Sequence, residues 1–224
     1  MEKTITEKEE MKPSKPKVEY NDLFWLFLVG SVLGVIIEGA FCYFTRGHWE
    51  SHVVSVWGWF NVLYGAGAAG LYAGAVKLQD KSLPIRVLSL MGIATTLEYI
   101  CGAFLKYVLG MKAWDYSGNF LNIDGIVCLK FSLFWGIMSL CVCLAAPKIT
   151  KWLEGLRGHK YRIICSVMSV FLAINFALTA MVLLRWSGRH YGYEPRTSIS
   201  RAIDSKANDQ WMKDRFVEWH FISK

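Results

Sequence analysis

Two glutamates, Glu38 and Glu98, stand inside apolar runs long enough to cross a bilayer, and this placement limits what the chain can fold into. Residues 23–44 read LFWLFLVGSVLGVIIEGAFCYF, 22 residues whose only charge at neutral pH is at Glu38. As a helix rising about 1.5 Å per residue, the run is roughly 33 Å long and spans the hydrocarbon core. A charged side chain at mid-bilayer costs about 2.5–3.5 kcal/mol on insertion scales, so an acid in that position calls for a partner, a proton or a function. The structural alternative is a protonated glutamate that bonds a neighbouring helix for packing alone.

Four further runs pass the same length test, giving expected spans at 23–44, 57–76, 85–109, 126–146 and 163–184. With 54% hydrophobic residues and a mean hydropathy of +0.29, the chain reads as an all-α polytopic bundle over 23–184, between a polar tail at 1–22 and a polar basic tail at 185–224. The first tail lacks the short apolar core and small-residue cleavage site of a secretion signal. Pro84 and Pro147 mark expected helix boundaries. The second span is rich in Gly and Ala, with Gly58, Gly65, Gly67, Gly70 and Gly74, which suits a central helix closely approached by others. The six cysteines lie in or beside apolar runs without a CxxC pair, as small buried hydrophobes do.

Lys and Arg number five in the first tail, three over 77–86 and five over 148–162, against Arg46 and Lys112 in the alternate loops. The charge rule therefore places the amino terminus in the cytoplasm. Five spans then put 185–224 outside, although that tail carries eight more Lys and Arg. Either the tail crosses as a longer domain less governed by the charge rule, or one assigned span is re-entrant, and the piece 211–221, with Met212, Phe216 and Trp219 at helical spacing, is a candidate helix for the membrane surface. The net charge of +7 points to anionic lipid headgroups rather than nucleic acid, because the cations collect between spans.

A faint duplication runs through the chain. Each acid is followed eight residues later by a cation, Arg46 or Lys106, and Phe60-Asn-Val-Leu-Tyr-Gly65 echoes Phe131-Ser-Leu-Phe-Trp-Gly136. A two-helix repeat accounts for both, and chance similarity between apolar helices is the alternative. In such a repeat Glu38 and Glu98 sit at matched depth and can line one polar site, with Asn61 and Asp115 as neighbours. Arg46 and Lys106 either form a cationic mouth or reach out to headgroups. The loop Trp114-Asp115-Tyr116-Ser117 suits turn capping or an ion pair from Asp115 to Lys106 or Lys112. His48-Trp-Glu50-Ser-His52 has two histidines four apart, but lacks the order of HExxH and a third ligand nearby, so no metal or other cofactor is expected. Neither a P-loop nor a Ser, His and Asp arrangement is present, and an enzymatic role is the less favoured expectation.

These residues together resemble the bacterial membrane family described as putative ABC-transporter type IV, or ABC transporter permease. The resemblance rests on the stretch from Glu38 to Gly47, Tyr64-Gly65, Leu97-Glu98-Tyr99, Trp114-Asp115-Tyr116-Ser117 and Gly125-Ile-Val-Cys128-Leu-Lys130 leading to Trp135-Gly136. It covers roughly 23–150, and the order of the motifs makes it specific. One departure is Gly58-Trp59-Phe60-Asn61, where family members carry a Gly-Pro and a Cys-Pro. The resemblance implies a multi-pass protein of the bacterial inner membrane and a permease-like role beside a separate ATPase subunit, with 148–162 as the inner loop long enough to receive one. Homo-oligomers are compatible with that role. Two other functions fit the residues: a membrane-embedded enzyme acting on a lipid or lipid-linked substrate, with one acid as base and Arg46 or Lys106 on a phosphate, and a non-transporting partner or sensor.

Overall fold

The computed structural model describes residues 16–222, so residues 1–15 of the expected amino-terminal tail lie outside the described part. The elements in order are α1 (Tyr20–Arg46), α2 (Val62–Lys77), α3 (Leu83–Ala103) running into a π-helical turn (Phe104–Leu109), β1 (Met111–Lys112), α4 (Leu129–Glu154), α5 (His159–His190), α6 (Ser198–Lys206), α7 (Asp209–Arg215) and β2 (His220–Phe221). The two short strands pair antiparallel, Met111 opposite Phe221. The protein is an all-α helical bundle in which α1, Leu83–Leu109, α4 and α5 are each long and apolar enough to cross a membrane.

Local chemistry sets these boundaries. A capping box between Glu19 and Asp22 starts α1, and Gly47, at φ +78°, stops it. Asn61 caps α2 by accepting the Leu63 amide at 3.0 Å. Pro84 stands in the first turn of α3, where its missing N–H costs nothing. Pro147, expected at a boundary, instead lies inside α4, which continues to Glu154. In consequence the supposed inner loop at 148–162 is almost all helix, and only residues 155–158 join α4 to α5.

Successive helices run antiparallel. Gly65 of α2 meets α1 so closely that a Cβ there would come within 2.8 Å of the Phe27 carbonyl and 2.3 Å of Ser31 Oγ. Only a glycine allows this approach. Contacts of α2 reach α1, α3 and α4, which puts it in the middle of the bundle. At the amino-terminal end, the Arg157 guanidinium grips the fully buried Asp22 carboxylate with Nε–Oδ1 3.1 Å and Nη2–Oδ2 2.6 Å, and Asn21 donates to the Leu156 carbonyl at 2.9 Å. The distal end gathers residues 47–61, 110–128 and the carboxy-terminal tail.

That tail is a lid made of protein, and the surface helix expected at 211–221 is corrected accordingly. The helix ends at Arg215, and Met212, Phe216 and Trp219 turn inward, packing on Leu105, Leu109, Val182, Leu183 and Trp186. The physical reason is that the end of α5 and the π-helical turn offer an apolar surface that the tail covers. Two of its cations are tied inside the fold. Arg185 and Arg189 both hold Asp204, at 2.5 Å each, and Arg189 also meets Asp209 at 2.8 Å.

The Asp204 clamp gives a pH prediction. The guanidinium of Arg185 first, then that of Arg189, holds the Asp204 carboxyl below its ordinary range despite partial burial. Because its folded value lies below the unfolded value of about 3.9, the stabilisation is complete at neutral pH and is lost as pH falls through the folded value. Amide exchange in 198–215 is therefore expected to stay slow down to about pH 4 and to rise below it. Asp204→Asn should show the fast exchange already at pH 7; a tail equally protected in that variant would contradict the clamp.

Candidate functional site

The site begins where α2 falls short. Its 16 residues make about 24 Å of helix, less than the roughly 30 Å of a bilayer core. Residues 57–61, expected as the first turn of the second span, are not helical, and Gly58 stands at φ +74°. The break forms although the prolines of the family pattern are absent. Tyr64 lies on Gly34, so the distal part of α1 beyond that level is covered by the returning chain instead, with Trp49 seated on Gly39.

Non-helical backbone at such depth must find partners inside the protein. Two buried polar residues of α5 provide them. Asn175 accepts the Trp57 amide at 3.0 Å and donates to the Trp57 carbonyl at 2.8 Å, while Thr179 Oγ1 accepts the Val56 amide at 2.9 Å. Asn61 donates to the His52 carbonyl at 2.8 Å, and Arg215 from the tail donates to the carbonyls of Ser55, at 2.9 Å, and Gly58.

Held in this way, His52 is only 8% exposed and lies among four functional groups. Its Nε2 is 3.3 Å from Cys42 Sγ and 4.0 Å from Glu50 Oε2. Its Nδ1 is 3.3 Å from Glu38 Oε1 and in contact with the Glu218 carboxyl. The second Glu38 oxygen, Oε2, is buried with no hydrogen-bond partner among the described residues. Burial pushes the His52 imidazole below its usual range. Burial also raises Glu218 to about 8, helped by the neighbouring Glu38 and Glu50 carboxyls. Glu50 is tied on the outside to Arg46, at 2.5 Å, and to His48, at 2.8 Å.

Glu98 occupies a second, separate setting. Its side chain is 5% exposed and accepts from Tyr116 Oη at 3.1 Å and from Trp135 Nε1 at 3.0 Å. Tyr116 is fixed by stacking on Phe131, ring centroids 4.4 Å apart. Burial holds the Tyr116 hydroxyl far above its usual range, with Glu98 next and Glu38 adding to the effect. Beside it opens a cleft of about 210 Å³ lined by Lys106, Lys112, Trp114, Asp115, Ser117 and Asp124, among others. Asp124 accepts from Tyr99 and Tyr107 at 2.9 and 3.0 Å, and its own backbone, at φ +57°, presents its carbonyl to Lys106 Nζ at 2.9 Å.

The expected site residues are therefore distributed over two neighbouring settings. Glu38 and Asn61 belong to the His52 cluster, one through its carboxyl and the other through the His52 carbonyl. Glu98 and Tyr116 are bonded to each other. Asp115 pairs with Lys112 at 2.6 Å and accepts from Ser117 N and Oγ, which holds its carboxyl well below the usual range. Trp114 locks the loop by donating Nε1 to the Ile126 carbonyl at 2.8 Å. Neither Arg46 nor Lys106 is bonded to Glu38 or Glu98: the first takes Glu50 and the second the Asp124 carbonyl. No hydrogen bond or ion pair joins Glu38 to Glu98 among the described residues. Cys42 and Glu218 were not anticipated. Cys42, four residues after Glu38, could have been read as sharing its helix face, whereas nothing in the sequence connects Glu218 to it.

A bundle of membrane-length helices with carboxyls, a histidine and a returning loop buried in its distal half is the architecture of a polytopic membrane protein with internal polar sites. The family described as Putative ABC-transporter type IV matches residues 25–180, and the chain belongs to that family. No curated protein and no solved structure matches it.

Proposed function

We propose that this protein is the membrane-embedded transport component of a permease-like system, and that Glu38 and Glu98 handle its solute or a coupled proton in the distal half of the bundle. The observation that carries the reading is the placement of the acids: each stands within a membrane-length helix, and each carboxyl lies against polar protein groups, Glu38 against His52 and Glu98 against Tyr116 and Trp135. Asn61 and Asp115 act as neighbours, the first by setting the returning loop and the second by shaping the cleft beside Tyr116. Both hairpins follow one plan, in which an acid on the outgoing helix is covered by the loop that follows it, in keeping with a repeated unit.

No GxxxxGK[ST] occurs in this sequence, so in this reading nucleotide hydrolysis falls to a separate subunit. By the charge rule the amino-terminal end faces the cytoplasm of a bacterial cell, so a separate ATPase would meet 78–82 and the short 155–158 connection there. The test uses a deletion strain whose loss of the protein changes the profile of accumulated solutes. Glu38→Gln and Glu98→Gln should each insert and melt near the wild-type temperature and yet fail to restore that profile, and an ATPase subunit should co-purify with the wild type. Full restoration by both variants would refute the role given to the acids.

A further inference from the structure

We propose that Cys42, Glu50 and His52 bind one divalent metal ion of the zinc class, with the Glu38 and Glu218 carboxyls orienting the imidazole from behind. The three ligand atoms lie within 4.8 Å of one another, and they come from the end of α1 and from the returning loop. A tetrahedral zinc with ordinary bond lengths keeps a thiolate sulfur and an imidazole nitrogen about 3.5 Å apart. Cys42 Sγ and His52 Nε2 stand 3.3 Å apart, so a small outward shift of either admits the ion.

Three features distinguish this cluster from a group of polar residues that met by chance. The ligand set is a thiol, an imidazole and a carboxylate, a mixture suited to a borderline-soft cation with one position left open. The imidazole is already oriented: Nε2 faces the thiol, while Nδ1 faces two carboxyls, which is the carboxylate–histidine–metal arrangement found behind metal-bound histidines. A cation would also have carboxyl oxygens to meet. Glu38, Glu50 and Glu218 surround a single buried imidazole, and the Arg46 that serves Glu50 keeps more than half of its side chain exposed. Arg46 is free to swing into solvent when an ion takes its place on Glu50 Oε2.

Such an ion would tie three distant parts of the chain together: α1 through Cys42, the returning loop through Glu50 and His52, and the tail through Glu218. The site does not depend on the transport reading, since a structural ion and a transported ion would use the same ligands.

The experiment uses the full-length protein in detergent, stripped with chelator and titrated with Co²⁺ alone, then with Zn²⁺. The expected result is one Co²⁺ per chain, with a near-ultraviolet thiolate-to-cobalt band that Zn²⁺ bleaches. Cys42→Ser should abolish the band, His52→Gln should abolish stoichiometric binding, and Glu218→Gln should keep the band while weakening affinity about 10- to 100-fold. Cys143→Ser, which removes a buried thiol packed elsewhere among α2, α3 and α4, should leave the titration unchanged. A wild-type protein that melts cooperatively but takes up no Co²⁺ overturns the proposal, and so does a band that persists in Cys42→Ser.

Discussion

Replacing Asp22 by alanine is expected to destabilise the protein by about 3–5 kcal/mol, because it leaves the Arg157 guanidinium facing a vacated pocket. Asp22 is fully buried, takes both Arg157 nitrogens and also accepts the Glu19 amide at 2.9 Å, so one substitution removes an ion pair and half of the α1 capping box. The pair joins α1 to the connection between α4 and α5, and its loss should loosen the whole amino-terminal end. Thermal unfolding in detergent measures the effect. Asp22→Asn, which keeps the shape and one acceptor oxygen, should lose less. If Asp22→Ala melts with the wild type, the pair is not holding the three helices together.

Phe216→Ala should cost a similar amount, about 3–5 kcal/mol, by opening a cavity in the distal cap. The ring is 1% exposed and packs among Trp186, Trp211 and Trp219, with centroids 5.4–6.5 Å away. Here the loss has a local consequence. Arg215, which pins the returning loop, and Glu218, which meets His52, flank Phe216 in the chain, so a loosened cap exposes the His52 cluster by local unfolding. Cys42, 3% exposed in the intact fold, should then react faster with a thiol reagent, as site-resolved mass spectrometry can measure. A lower melting temperature with an unchanged Cys42 labelling rate would mean that the tail does not guard this cluster.

Both predictions concern contacts between residues far apart in sequence, and this explains what could be read in advance. The apolar runs were legible because bilayer thickness fixes helix length, and so was the first turn of α3, because proline at a helix start is a local rule. The end of α4 is not, since Pro147 is a local stop signal while the helix in the packed bundle runs through it to Glu154. The start of α2 is hidden for the opposite reason: 57–61 is apolar enough for a helix, but Asn175 and Thr179 hold the backbone of Trp57 and Val56 by hydrogen bonds from across the bundle. Met212, Phe216 and Trp219 have the spacing of an amphipathic face, and spacing alone does not say whether lipid or protein covers that face.

The sequence by itself determined that this is a bundle of membrane-length helices, that two acids lie within them, and to which family the chain belongs, because hydropathy and short motifs are local properties. Only the tertiary structure decided what those acids meet: Glu98 with Tyr116 and Trp135, and Glu38 with a histidine from the next loop and a tail carboxyl 180 residues further on (218 − 38). The physical reason is that a buried polar group has to be satisfied by whatever the packed helices bring within about 3 Å of it. That depends on where the chain returns, which local sequence does not encode.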